Sequence, residues 1–236
     1  LTKKRCEPER GATAVFSDSD AVARYADGPR RQVPGFEAMQ RMAEILLAET
    51  APENARIFIL GAGGGLELAA FARSRPGWSF DGVDPSPEML KLARQMLGPD
   101  LARVQLHEGY VEDGPAGPFD GAACLLTMHF VPKADRVDTL RGIRTRLKPG
   151  AAFVCAHHSI PGDAAERNLW LTRYAAFAAS SGIPADAAER GRAAIRDRLA
   201  ILSPEDDEAA LVAAGFTGIR VFYTGFTFRG WVAYAP

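Results

Sequence analysis

The stretch Ile57-Phe58-Ile59-Leu60-Gly61-Ala62-Gly63-Gly64-Gly65 constrains the fold more than any other part of the chain. A short apolar run enters a glycine-rich turn. A second apolar run then ends in Gly82-Val83-Asp84-Pro85-Ser86. Glycines let a strand turn sharply and let backbone N–H groups approach a ligand closely. The acid lies 23 positions after Gly61, as a strand–turn–helix–strand unit requires. There it can accept hydrogen bonds from both hydroxyls of a ribose. An α/β protein holds a nucleoside in this way.

Spacing then separates one nucleoside ligand from another. A dinucleotide turn wants its third glycine three places after the second, beside the pyrophosphate. Here that place is Leu66, and the glycines fall at 61, 63 and 65. This G-x-G-x-G turn, followed by Val-Asp-Pro-Ser, resembles motif I of the class I S-adenosylmethionine-dependent methyltransferases. The resemblance implies S-adenosyl-L-methionine as cofactor. That molecule has no phosphates, so the turn need admit only a methionine tail and a ribose edge.

The rest of the chain alternates strand and helix. Strands are expected at Arg56–Leu60, Trp78–Val83, Val104–Glu108, Gly121–Met128 and Ala151–His157. Helices are expected at Phe36–Glu49, Leu66–Arg73, Pro87–Leu97 and Asp135–Leu147. Such alternation predicts a parallel sheet covered on both faces. Residues 163–201 are alanine-rich and helical, broken at Ser180-Ser181-Gly182-Ile183-Pro184. Ser203-Pro204-Glu205-Asp206 caps a further helix, which Gly215 ends. Gly218–Thr224 and Thr227–Ala235 are close enough to be an antiparallel hairpin. The expected fold is a seven-stranded, mostly parallel, Rossmann-like α/β sheet with helices on both faces and a C-terminal antiparallel hairpin. Residues 1–50 form an N-terminal arm and lid helix. Residues 51–236 form the methyltransferase domain, with a helical insertion at about 163–201.

Composition narrows the function classes. The 236 residues are 47% apolar and 24% charged, which suits one globular domain. A net charge of −1 argues against nucleic acid as a partner. No apolar run is long enough to span a bilayer. Cys6, Cys124 and Cys155 are scattered without metal-ligand spacing, so no metal is expected, and the odd count points to a reducing, cytoplasmic setting.

Ligands in such sheets bind beyond the carboxyl ends of the strands. Gly61, Ala62 and Gly63 follow strand one, near the methionine part. Asp84 follows strand two on the ribose, with Pro85 beside it. Met89 lies against the adenine or belongs to the core. Tyr110 stands where an acid often follows Gly109 in the superfamily; it can stack on the base while the Val111 backbone reads its edge. Strand four leads into Leu125-Leu126-Thr127-Met128-His129-Phe130. His129 is the candidate general base, or else a hydrogen-bonded rim histidine. His157 and His158 alternate faces, so at most one reaches the cleft. Methyl transfer needs little catalytic apparatus, because holding the acceptor in line with the sulfonium methyl supplies most of the rate.

Further features narrow the resemblance. Val33-Pro34-Gly35-Phe36 precedes a helix and the glycine turn, Asp84-Pro85-Ser86-Pro87-Glu88-Met89 follows strand two, and Leu147-Lys148-Pro149-Gly150 precedes strand five. A long helical insertion then leads to Ala214-Gly215-Phe216. Together they are similar to the carboxy-S-adenosylmethionine synthase family over roughly residues 13 to 234. Those enzymes carboxylate the cofactor with prephenate for tRNA wobble-uridine modification, and they are dimers. The resemblance implies cofactor contacts at Phe36, Gly61, Ala62, Gly63, Asp84, Pro85, Tyr110, Val111, Leu125 and Arg192. Arg192 matches the arginine that pairs with the extra carboxylate. The chain departs from the family at four positions: Phe36 for a tyrosine, Ile59 for an acid, Tyr110 for an aspartate and Leu125 for an asparagine.

The leading expectation is methyl transfer from S-adenosylmethionine to a small molecule. The alternatives are a carboxy-S-adenosylmethionine synthase-like enzyme and a non-catalytic cofactor-binding regulatory protein. Tyr25, Arg31 and Phe36 are expected in a lid over the cofactor. Trp170, Tyr174 and Phe177 either anchor a homodimer or pack on the parent sheet.

Overall fold

The computed structural model describes residues 27–236. Cys6, Tyr25 and the arm up to residue 26 lie outside the described residues. The described chain runs α1 (Gly28–Gln32), α2 (Phe36–Ala48), β1 (Arg56–Leu60), α3 (Leu66–Ser74), β2 (Ser79–Asp84), α4 (Pro87–Leu97), β3 (Val104–Glu108) and β4 (Phe119–Leu125). It continues with α5 (Arg136–Arg144), β5 (Leu147–His158), α6 (Ala164–Ser180), α7 (Ala185–Arg198), α8 (Pro204–Ala213), β6 (Thr217–Gly225) and β7 (Phe228–Tyr234).

The seven strands form one sheet in the order β3-β2-β1-β4-β5-β7-β6. The first five are parallel. β7 runs antiparallel between β5 and β6. The order reverses at β1, so the crevice beside its carboxyl end is the switch point where such sheets take ligands.

Alternation along the strands builds two cores. Ile57 and Ile59 join Met39 and Leu47 of α2 and Phe71 of α3 on one face. Phe58 and Leu60 join Leu140 and Ile143 of α5 and Leu211 of α8 on the other. Successive side chains of a strand point to opposite faces, so one pentapeptide serves both layers. Pro87 opens α4, and the Ser86 hydroxyl accepts the Met89 N–H at 3.3 Å. Ser203 caps α8 in the same way, accepting from Asp206 at 3.1 Å.

Towards the β3 edge, Asp81 accepts from Arg56 Nε at 2.8 Å and lies 2.9 Å from His107 Nε2. Asp120 takes Lys148 Nζ at 2.6 Å. These charges are committed to one another. The carboxyl ends carry the glycine turn instead.

Several bounds shift by one or two residues from the sequence expectation, and three shift further. β4 ends at Leu125, not Met128. Leu126 takes φ 57°, and the Thr127 hydroxyl donates back to the Leu125 carbonyl at 3.1 Å. The apolar run continues past that point, but the backbone does not. α5 is shorter than Asp135–Leu147, and Lys148-Pro149-Gly150 falls inside β5 because that strand begins at Leu147.

The helical insertion has a closed neck. Ser159 bridges to Leu202, and the Ile160 N–H donates to the Leu202 carbonyl at 3.0 Å. Just beyond the neck, Arg136 Nη1 donates to Asp207 Oδ1 at 2.9 Å, and Nη2 donates to the Ala200 carbonyl at 2.5 Å. Both side chains of that pair are buried. Among the described residues, no helix is long and apolar enough to cross a membrane.

Candidate cofactor cleft

Gly61 leaves β1 with φ 78°, a conformation that glycine adopts without cost. Its N–H and that of Ala62 both donate to the Val83 carbonyl, at 2.8 and 3.0 Å. An added Cβ on Gly61 would fall 2.0 Å from the Thr127 hydroxyl oxygen. The turn is therefore wedged between the ends of β2 and β4, and only glycine fits.

A narrow cleft, partly open to solvent, lies at this turn. Gly61, Gly63 and Gly64 form its floor, and Leu66 and Glu67 of α3 one wall. Leu125 and Leu126 form the opposite wall, and Phe36 of α2 closes the top. Pro29 and Gln40 complete the outer side. A larger depression of about 440 Å³ runs between α2 and α3 beside charged residues such as Arg41 and Arg73. It lies along helices, away from the strand ends. The smaller cleft holds the glycine turn and is the candidate site.

Asp84 stands behind the turn, buried. Its Oδ2 accepts the Gly63 N–H and its Oδ1 the Ser86 N–H, each at 2.9 Å. Burial pushes its carboxyl above the ordinary value, and the two N–H donors oppose that push. Each oxygen keeps a further lone pair. Met89 is buried at 3% exposure. Pro85 follows Asp84 in the bend before α4. Tyr110 is exposed, whereas Val111 is buried in the face that packs on α5.

Three expected contributors sit elsewhere than sequence suggested. His129 is not on an open rim. It lies in the short 3-10 turn Met128–Phe130, 4% exposed, and its Nδ1 accepts the His158 N–H at 3.1 Å. Burial, then His158, His157 and Arg136, hold it well below the ordinary histidine value. It is a neutral, hydrogen-bonded wall residue, and one ring nitrogen is already engaged. His157 and His158 are buried on opposite faces. His157 Nε2 lies 3.1 Å from Asp207 Oδ1, and His158 Nδ1 lies 2.9 Å from Thr227 Oγ1. Burial drives His158 down to about 3.

Arg192 does not line the cleft either. Its guanidinium is forked onto Glu189, with Nε 2.8 and 2.9 Å from the two carboxylate oxygens, and Nη1 donates to Asn168 Oδ1 at 2.7 Å. The helical i,i+3 geometry makes that fork the nearest partner. Tyr174 packs on its own sheet, its ring 6.0 Å from Phe228 and 5.6 Å from His158. Phe177 meets Phe226 at 5.8 Å. Trp170 is partly buried against the same core. The aromatics of α6 thus serve the parent fold.

Sequence reasoning missed Glu67, Leu126 and Gln40. Glu67 is 8% exposed, and its Oε1 is buried with no hydrogen-bond partner. Burial drives its carboxyl up to about 8, with the Asp84 charge adding to the effect. In the sequence it looks like an ordinary acid in the first turn of a helix. Leu126 carries a positive φ that a bulky residue seldom adopts, and such positions cluster at ligand sites. Among the described residues, no cluster of side chains is arranged to hold a metal ion.

Comparison with known proteins bears on this geometry. Residues 58–153 match the family model described as a methyltransferase domain. A carboxy-S-adenosyl-L-methionine synthase of Chromohalobacter salexigens is 28% identical, with 94% of this chain and 84% of that protein covered. One from Campylobacter fetus is 23% identical, with 92% and 93% covered. A solved structure described as PigF with SAH superposes with a TM-score of 0.69 at 17% identity, covering 97% of this chain and 63% of that one.

Proposed function

We propose that this chain is a carboxy-S-adenosylmethionine synthase-like enzyme of the class I S-adenosylmethionine-dependent methyltransferase type. The reach of the likeness supports this most. It covers 94% of the chain, including the insertion and the terminal hairpin, whereas the methyltransferase domain match covers residues 58–153 alone. That reverses the order expected from sequence, in which simple methyl transfer came first.

The cleft residues fit the cofactor. The three glycines that line the cleft carry no side chains to fill it, and Glu67, which also lines it, has a buried carboxyl oxygen without a hydrogen-bond partner. The bound cofactor supplies a sulfonium-activated one-carbon group. The chain's own part is to hold and enclose it. Asp84 takes the ribose hydroxyls on its remaining lone pairs, Met89 packs beside the adenine, and Tyr110 is free at the surface to stack on it. Phe36, Leu125 and Leu126 keep water from the sulfur. Val111 and Pro85 shape the backbone around the base.

One observation favours methyl transfer to a small molecule as a second reading. Arg192 is held by Glu189 and Asn168, so a carboxylated ligand would have to draw it away. Mass spectrometry after incubation with S-adenosylmethionine and prephenate separates the readings. A carboxylated cofactor supports the synthase. Methyl transfer to an added acceptor, with the cofactor otherwise unchanged, supports the second reading. Tight binding with no turnover of either kind would leave a regulatory cofactor-binding protein. Assembly as a homodimer would use the outer face of α6, where Leu169 is exposed, and sedimentation at micromolar concentration measures it.

A further inference from the structure

The cofactor's methionine tail carries an ammonium that needs an acidic or carbonyl acceptor. β1 supplies none from its side chains, since Ile57, Phe58, Ile59 and Leu60 are all apolar. The nearby acid, Asp84, has one lone pair on each oxygen engaged by the Gly63 and Ser86 N–H groups, and the others are assigned to the ribose. Among the described residues, Glu67 is the one ionisable residue that lines the cleft. It sits beside the glycine floor, nine-tenths buried, with one oxygen unpartnered. A lone buried acceptor of this kind is costly unless something fills it.

We propose that Glu67 is the acceptor for the α-ammonium of the cofactor's methionine moiety, and that its carboxyl gives up a proton to solvent when the ammonium arrives. The acidic partner has in effect moved from the strand before the turn to the helix after it. The proposal rests on the cofactor reading above.

The surroundings agree with a carboxyl that is neutral until a cation enters. Asp84 of β2 faces it with like charge, and Cys124 of β4 offers a neutral thiol. Gln40 of α2 shares the cleft, and among the described residues no basic side chain lines it. In the absence of a cation, Glu67 holds its proton up to a pH of about 8. An ammonium at hydrogen-bond distance favours the charged form and lowers that value. The proton balance is simple: one proton leaves the carboxyl, and the ammonium keeps its own.

Calorimetry in two buffers of different ionisation enthalpy tests this. The probes are S-adenosylhomocysteine, which has the amino-acid moiety, and methylthioadenosine, which lacks it. At pH 7 the wild type should release close to one proton with the first and none with the second, and the release should fade above pH 9. Glu67→Gln should release none, bind S-adenosylhomocysteine roughly tenfold or more weakly, and bind methylthioadenosine as before. Equal losses for both ligands, or no proton release by the wild type, would overturn the assignment. The wild-type proton count needs no variant, so it stands if Glu67→Gln folds poorly. A wild type that binds neither probe would overturn the cofactor reading and this proposal with it. Failure of Glu67 alone would leave wild-type binding intact.

Discussion

The Asp84 carboxylate accepts the Gly63 N–H at 2.9 Å, tying the acid after β2 to the glycine turn after β1. The residue expected to read the ribose is therefore also a brace for the loop that admits it. Removing it should have two effects. Asp84→Ala should weaken S-adenosylmethionine binding by about 1.5–3 kcal/mol, the usual cost of losing a charged acceptor. It should also lower stability, because the Gly63 and Ser86 N–H groups lose their partner. Asp84→Asn should restore much of the stability and little of the affinity. Titration calorimetry and denaturant melts report the two effects separately, and unchanged affinity in both variants would remove Asp84 from the site.

Gly61→Ala should abolish cofactor binding, because the new methyl meets Thr127 at 2.0 Å and the residue keeps a φ of 78°. Adding Thr127→Gly should relieve the clash but not the backbone strain, which is worth about 1 kcal/mol. Partial recovery in the double variant, seen in thermal melts with and without ligand, is the expected result. No recovery would place the obstruction elsewhere.

Glu67 makes stability depend on pH. Its folded value is raised to about 8, so the folded state keeps a proton that the unfolded chain has already lost. Stability should fall as pH rises from the ordinary carboxyl range to about 8 and then level off. Glu67→Gln lacks this liability. Its advantage over the wild type should grow across that window in urea melts. A constant difference between the two proteins would mean that Glu67 ionises freely in the fold.

The histidines act in the opposite direction. His129 is held well below its ordinary value and His158 at about 3, so the folded state refuses protons that the unfolded chain accepts. That stability is present above the unfolded value and is lost as pH falls; for His158 the loss runs from about 6.5 towards 3, at about 1.4 kcal/mol per pH unit. His158→Phe keeps a ring against Phe228, whose centroid is 4.0 Å away, and should flatten the acid limb of the melting profile. An unchanged acid limb would show that other groups govern it.

The Arg136–Asp207 pair is fully enclosed. Arg136→Met should cost about 3–5 kcal/mol, because Asp207 is left charged and buried. Asp207→Leu added to Arg136→Met should recover most of that. A double-mutant cycle measures the coupling, and simple additivity would show that the two side chains act independently.

Much of this was legible in the sequence for definite reasons. β1, β3 and α4 have the bounds expected, because Gly61, Gly98 and Pro87 punctuate them and their apolar residues keep one period. The antiparallel β6–β7 hairpin followed from two short strands separated only by Gly225-Phe226. Other features turned on tertiary context. Nothing local marks Leu126 for positive φ, so the apolar run after Leu125 looked like more strand. Glu67 and His129 read as surface or rim residues because their burial comes from α2 and β5, distant in sequence. Arg192 matched by position, but its fork onto Glu189 depends on which way the helix faces.

The bridge from Ser159 to Leu202 gives α6 and α7 a particular freedom. The chain leaves the sheet and returns to it at one doorway, and the fold holds that doorway shut from below. Outside the positions that pack on the sheet, such as Leu171, Tyr174 and Ile195, what is written between the posts can be rewritten without renegotiating the strands. A lineage could change what such an enzyme accepts by editing this one paragraph of its chain, while the page around it stays in print.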